Sequence, residues 1–280
     1  MTGQGYRVKV EPGVGLHVQQ FGAGDPVVFV HAGGMTHEAW DHQVGALATK
    51  FRTVAYDFRG VGKSDVPATG YSIDTLAQDL GRLIEQLELG TPMMVAHGVG
   101  AHVALRLVSG HPGLVERLVL VSAAPWSVGD RGTEGGISQS LWETMQAGLA
   151  VDRAQADLDL IDRQYFHRPP SEGMRWWCLQ MASRWPLGVL RQLIDGMAAI
   201  DHRDCLRHME LPVLVAHGRH DRKNRYEGGV YLAEHLPNAN LVTFEESAVC
   251  PQLEEVRRFN EVLAEFLSAG ATSPATAGRH

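Results

Sequence analysis

The sequence predicts an α/β fold, a mostly parallel sheet flanked by helices with a helical lid inserted into it. Three observations carry that expectation. Short apolar runs alternate with amphipathic segments along most of the chain, the pattern of successive βαβ units. One such run, Pro92-Met93-Met94-Val95-Ala96-His97, ends in a glycine-dense turn, and Ala101 to Ser109 then reads as a helix with small and apolar residues facing inward. The alternation stops after Ser122. From about Trp126 to Ile200 it gives way to helical segments rich in Met, Trp and Leu, including Trp142, Trp176, Trp177 and Trp185.

In chain order, strands are expected at Gly15–Phe21, Val27–His31, Thr53–Asp57, Met93–His97, Leu118–Ser122, Val213–His217 and Leu241–Phe244. Helices are expected near Ala39–Ala48, Ile73–Leu89, Gly100–Ser109, Glu227–Leu236 and Glu254–Leu267. The second of these shows a helical apolar face at Leu76, Leu80, Leu83, Ile84 and Leu87. The 280 residues thus divide into a first part of the core (1–125), a helical cap (126–200), a second part of the core (201–268) and a small, polar tail (269–280) read as disordered. An insertion at the carboxyl ends of the strands roofs the ligand crevice. Its aromatic and Met content serves either packing within the lid or an apolar ceiling for a bulky substrate.

Composition narrows the partners. Hydrophobic residues make up 44% of the chain, and the net charge is −7 with no basic block, so nucleic acid is not an expected partner. Cys178, Cys205 and Cys250 are odd in number and unrelated in spacing, which argues against a disulfide framework or a zinc cluster. Met1 to Gly13 has no apolar signal-peptide core, and no run approaches the roughly 18 apolar residues of a membrane span, so a cytoplasmic chain without a membrane partner is expected. His217, His220 and Asp221 form an H-x-x-H-D string, but no third ligand cluster lies nearby, and no metal or cofactor is expected. The expected partner is a small molecule; the oligomeric state is left open.

Five motifs follow the expected strands. They are His31-Ala32-Gly33-Gly34, the run Asp57-Phe58-Arg59-Gly60-Val61-Gly62-Lys63-Ser64-Asp65, the turn Ala96-His97-Gly98-Val99-Gly100, the run Gly218-Arg219-His220-Asp221, and the loop Glu246 to Glu254. His111-Pro112 and Val115 to Leu120 add a sixth match. In this order and spacing the chain resembles the α/β-hydrolase superfamily, in its lidded branch with epoxide hydrolases, haloalkane dehalogenases and small esterases, over about Gly15 to Leu267.

That resemblance implies roles for individual positions. The first motif resembles the family's oxyanion loop, with Ala32 in place of a glycine. The elbow motif is G-x-S-x-G, and here Gly98 stands where the nucleophilic serine belongs. Asp221 matches the triad acid. The loop Glu246-Ser247-Ala248-Val249-Cys250-Pro251-Gln252-Leu253-Glu254 resembles S-G-H-x-P-x-L-E, and its register puts Val249 at the histidine. The backbone N–H groups of Val99 and Gly33 would form the oxyanion hole, unless the glycines only permit a tight turn. A nucleophilic elbow strains a residue with a side chain by about 1–3 kcal/mol; Gly98 relieves that strain and leaves a void.

Stand-ins for the missing groups are few. Cys250 has no evident base beside it and reads as a buried hydrophobe. Strand alternation points His97 away from the pocket. His31, His37 and His220 lie near carboxyl ends of strands and are candidate acid–base groups, as is Asp221 if an apolar pocket raises its pKa. Trp126 either walls the pocket or starts the lid.

Ser-His-Asp acyl transfer is excluded at this site. The expected function is a cofactor-independent, non-hydrolytic enzyme that eliminates, cyclises or isomerises a small apolar carbonyl metabolite of specialised metabolism. One alternative is a non-catalytic small-molecule-binding pseudo-hydrolase or receptor. The resemblance allows it, because gibberellin receptors lack this histidine and Gly98-Val99-Gly100-Ala101 looks like the N-myc downstream-regulated family. The other alternative is a hydrolase using water activated by Asp221 or His220.

Overall fold

Where the sequence runs apolar on every residue, the chain forms strands covered on both sides, as a parallel sheet under helices requires. A computed structural model describes residues 5–129 and 135–269. Its strands are β1 (Tyr6–Glu11), β2 (Val14–Phe21), β3 (Pro26–Val30), β4 (Arg52–Tyr56), β5 (Met93–His97), β6 (Leu118–Val121), β7 (Val213–Gly218) and β8 (Ala239–Phe244). They form one eight-stranded sheet in the order β1-β2-β4-β3-β5-β6-β7-β8. The pairs β1–β2 and β2–β4 are antiparallel, and all pairs from β4 to β8 are parallel.

Helices α1 (Asp41–Leu47), α2 (Ile73–Gln86) and α3 (Val99–Gly110) precede β6. Between β6 and β7 lie α4 (Gln139–Val151), α5 (Arg153–Leu160), a π-helical turn (Ile161–Tyr165), α6 (Glu172–Ser183), α7 (Leu187–Met197) and α8 (Arg203–Leu206). After β7 come α9 (Tyr226–His235), α10 (Pro251–Glu254) and α11 (Val256–Ser268). Strand alternation sorts the core onto two faces. Val28, Val30, Met94 and Leu120 meet Leu80 and Leu83 of α2 and Val103 and Leu107 of α3. Val27, Phe29, Val95 and Val121 meet Leu47 of α1 and Phe259 and Leu263 of α11 on the opposite face.

Local chemistry sets the boundaries. The Ser72 hydroxyl caps α2 by accepting the Thr75 N–H at 3.2 Å, and the helix stops at Gln86, before Glu88 and Gly90 take positive φ. The stretch expected to be one helix from Glu254 is two, broken at Glu255. That from Ala39 begins as a 3-10 turn, His37–Trp40, capped by Thr36. β1 was not among the expected strands. Its Tyr-Arg-Val-Lys-Val-Glu alternation exposes one side at the sheet edge, and the Pro12-Gly13 turn joins it to β2 with Gly13 at φ +82°. The expectation for the 269–280 tail falls, from residue 270 on, outside the described residues. Among the described residues, no helix is long and apolar enough to cross a membrane.

The contact that positions the site is between α3 and β3. A Cβ built on Gly100 would stand 2.6 Å from the Val30 carbonyl oxygen and 2.7 Å from that of His31, so only a residue without one lets the helix begin this close to the strand. Gly100→Ala should therefore lower stability by about 1–3 kcal/mol, the usual penalty of overpacking. Urea denaturation checks this, and an unchanged midpoint would contradict it.

Candidate active site

β5 is buried throughout and delivers the chain to a sharp turn at Gly98, where φ is +53° and ψ −112°. That conformation is open to glycine and strained for other residues. The Gly98 N–H donates to the Val121 carbonyl at 3.1 Å, which ties the turn to β6. Val99 opens α3, so its N–H has no acceptor one turn back. The loop after β3 comes close: a Cβ on Gly33 would lie 3.1 Å from Val99 Cγ2. Among the described residues neither the Val99 nor the Gly33 amide donates to a protein acceptor. A Cβ on Gly98 would stand 3.3 Å from Ala32 Cβ and 3.9 Å from Asn224 Nδ2, so this space borders the loops after β3 and β7.

Beside the turn is a narrow cavity of about 60 Å³. Gly33, Gly34, Val99, Tyr165 and Lys223 line one side, and Trp142, Met145, Leu149, Leu160, Leu190 and Leu193 supply an apolar ceiling from α4, α5 and α7. Arg153 and Asp157 also line it, but they are spent on each other at 2.6 Å. The other Arg153 nitrogens donate to the Trp185 and Ala182 carbonyls.

Lys223 differs. It is only 8% exposed, yet its Nζ makes no hydrogen bond or ion pair among the described residues. The nitrogen lies 5.8 Å from the Tyr165 ring centroid. Burial pulls its pKa below the ordinary lysine value, and the nearby Asp221 and Cys250 oppose that only in part. Reading the sequence did not single out Lys223. Asp221-Arg222-Lys223-Asn224 looks like any polar loop, and the one available signal was its place just past the carboxyl end of β7, where crevice residues lie.

Asp221 stands directly behind. Its Oδ1 accepts the Lys223 and Asn224 backbone N–H groups at 2.9 Å each; its Oδ2 accepts the Ser122 hydroxyl at 2.5 Å and lies 3.3 Å from His217 Nε2. Burial alone would raise its pKa, but His217, Ser122 and the Asn224 amide together hold it below the usual carboxylate range. The carboxyl is thus an ionised group with its lone pairs engaged, the opposite of the raised pKa that a role as direct base requires.

The histidines named from sequence do not line the cavity. His31 is fully buried: its Nδ1 meets the Ala32 carbonyl at 2.9 Å, and its Nε2 accepts the Phe58 N–H at 3.1 Å. His37 is held by Asp57, whose Oδ1 lies 2.7 Å from its Nδ1. His17, His37 and Asp57 bring ligand atoms within 4.8 Å of one another, but the Asp57 oxygens already accept the His37 and Lys63 N–H groups. His220 stacks on His167 at 3.6 Å and lines a separate outer cleft with Arg163 and Arg222.

His97 points away from the cavity, as alternation requires: its Nε2 meets the Val249 carbonyl at 2.8 Å, and its Nδ1 lies 3.1 Å from Gln252 Nε2. Val249 packs into an apolar cluster with Ala32, Met35, Tyr165 and Cys250. Burial pushes the Cys250 thiol well up, so it offers no thiolate. Trp126 is fully buried, donates from Nε1 to the Gly129 carbonyl at 2.8 Å, and lies outside the cavity lining.

A parallel sheet, a strand–glycine–helix turn and a second amide-bearing loop at the same strand ends define a class. Residues 25–256 match the alpha/beta hydrolase fold family, and the chain belongs to it. It is similar to an AB hydrolase superfamily protein of Bacillus subtilis, 30% identical over 268 residues that cover 94% of this chain and 98% of that one. A non-heme chloroperoxidase of Streptomyces lividans is 32% identical over 251 residues, 85% of this chain and 90% of that one. Among solved structures, the esterase EaEST from Exiguobacterium antarcticum matches with a TM-score of 0.89 at 26% identity, covering 95% of this chain and all 100% of that one.

These relatives overturn the expectation of a non-hydrolytic elimination, cyclisation or isomerisation, because they are named as hydrolases, esterases and chloroperoxidases. The expectation equated loss of a serine with loss of hydrolysis, whereas water needs no side-chain nucleophile to attack a polarised carbonyl.

The buried histidines have a measurable consequence. Burial is the largest cause in each case, and it holds His31 and His202 to about 4 and His97 and His102 to about 3. Between those values and the ordinary histidine value of about 6.5, the unfolded chain binds protons that the folded chain refuses. Stability therefore falls as pH drops through that window, while the low-pKa carboxylates Asp57 and Asp221 keep their contribution until lower pH. The melting temperature should be lower at about pH 5 than at about pH 7.5; a flat profile would contradict this.

Proposed function

We propose that the chain hydrolyses a small, largely apolar ester or lactone by direct attack of water, without a covalent acyl-enzyme. The observation that carries this reading is the convergence on one cavity of Val99 and Gly33, whose backbone amides are unspent, and of Lys223. In the lidded hydrolase pattern, Gly98 takes the nucleophile's place, Val249 the histidine's and Asp221 the acid's. The cavity of about 60 Å³ has room for water, which needs only about 10–15 Å³ of accessible volume.

The substrate carbonyl oxygen points to the Val99 and Gly33 N–H groups, which take up the negative charge as water adds. Lys223 accepts the proton from that water and returns it to the leaving alcohol; a desolvated lysine suits such work. Asp221 activates the water at one remove, through the charge it sets beside the amine. His220, on its outer cleft, has no part in this route. The helical segment 126–200 acts as the lid, and α4 and α7 shift to admit substrate, since about 60 Å³ is less than a substrate needs. The partner is a small molecule, and a cytoplasmic setting suits the free thiols.

A panel of p-nitrophenyl esters and simple lactones tests this. Turnover above the buffer rate is expected, with no acyl adduct in the intact-protein mass spectrum. Lys223→Met preserves volume and removes the amine, and should cut kcat/KM by about 10²–10⁴-fold while leaving the circular dichroism spectrum unchanged. No hydrolysis of any ester, or full activity in Lys223→Met, would contradict the reading.

A further inference from the structure

We propose that Lys223 is also a carbonyl-capturing amine, and that the cavity binds small aldehydes or ketones covalently as an imine on its Nζ. The proposal uses the same cavity as the hydrolytic reading but does not require hydrolysis to occur.

Three features support it. Lys223 is nine-tenths buried, its amine makes no hydrogen bond or ion pair among the described residues, and it lines a cavity whose ceiling is formed by Leu, Met and Trp side chains. Two donors for a carbonyl oxygen, the Val99 and Gly33 amides, line the same cavity. The charged and titratable groups that bear on the amine are Asp221, Cys250, His97, His102 and Tyr165; none forms an ion pair with it, and Arg153 is spent on Asp157. An uncharged amine is the nucleophile, and desolvation, which lowers its pKa, favours that form.

The chemistry balances without redox. The Nζ lone pair forms a C–N bond to the carbonyl carbon, and the oxygen, held by the two amides, takes a proton to give a carbinolamine. Loss of that hydroxyl as water, with the second nitrogen proton, leaves C=N. An aldehyde or ketone plus an amine thus becomes an imine plus water, reversibly. Aldehydes and ketones carry no leaving group, so they are the class that gives a reversible complex.

Lys9, Lys50 and Lys63 are exposed and serve as references inside the same chain. The whole protein is incubated at neutral pH with formaldehyde or with hexanal, each with cyanoborohydride to reduce any imine, and modification is mapped by peptide mass spectrometry. A lysine pKa below its ordinary value raises the neutral fraction of the amine, so Lys223 should be modified faster than the exposed lysines. Formaldehyde is small enough for the cavity as it stands. Modification of Lys223 no faster than that of Lys63 with both aldehydes would overturn the proposal. Trapping at Lys223 without ester turnover would uphold the imine site and sink the hydrolytic reading; ester turnover without trapping would do the reverse.

Discussion

The site depends on one close approach, that of the first turn of α3 to the carbonyl end of β3. Glycine at residue 100 allows it, since a Cβ there would meet two backbone oxygens. The approach fixes the turn at Gly98, and that turn brings the Val99 amide beside the loop that carries Gly33. Neither amide belongs to a side chain, so both survive any change in the residues that did chemistry around them. This is why an α/β-hydrolase scaffold can hold two unspent backbone amides beside a turn whose apex is glycine.

Burial then decides which remaining group is reactive. Asp221 is buried, but enough donors converge on it to keep it ionised and satisfied. Lys223 is buried, and among the described residues its Nζ makes no hydrogen bond or ion pair; burying an unpaired charge is costly, so its pKa is lowered. Its backbone N–H belongs to the set that holds Asp221, so the acid and the amine are positioned by the same short loop. Enzymes stripped of a catalytic triad retain roughly 10³–10⁴-fold acceleration over water from the oxyanion hole and binding alone.

Much of this was legible in the sequence because it rests on period and order. The apolar runs at Val27, Met93 and Val213 are strands, and the strand–turn–helix at Gly98 is where the motif put it. The α2 face at Leu76, Leu80, Leu83 and Ile84 is buried as its spacing requires. β1 was missed because half of its residues are exposed at an edge, which gives a weak signal. The histidines misled because proximity to a strand end says nothing of which nitrogens are already bonded; His31 and His37 are both spoken for. Lys223 was invisible for the converse reason. A lysine is ordinarily exposed, and only the folded chain, which sets Tyr165 near its Nζ from a segment remote in sequence, makes this one buried. The function was misjudged from the missing serine, where relatives of similar length are esterases and chloroperoxidases.

The account turns on the protonation state of one nitrogen. Heteronuclear NMR of protein labelled with ¹⁵N-lysine, titrated through the alkaline range, reports each Nζ separately, and Lys223→Met assigns the signal. Lys223 is expected to titrate below the ordinary lysine value of about 10.4. A Lys223 signal that titrates at or above that value would contradict this reading.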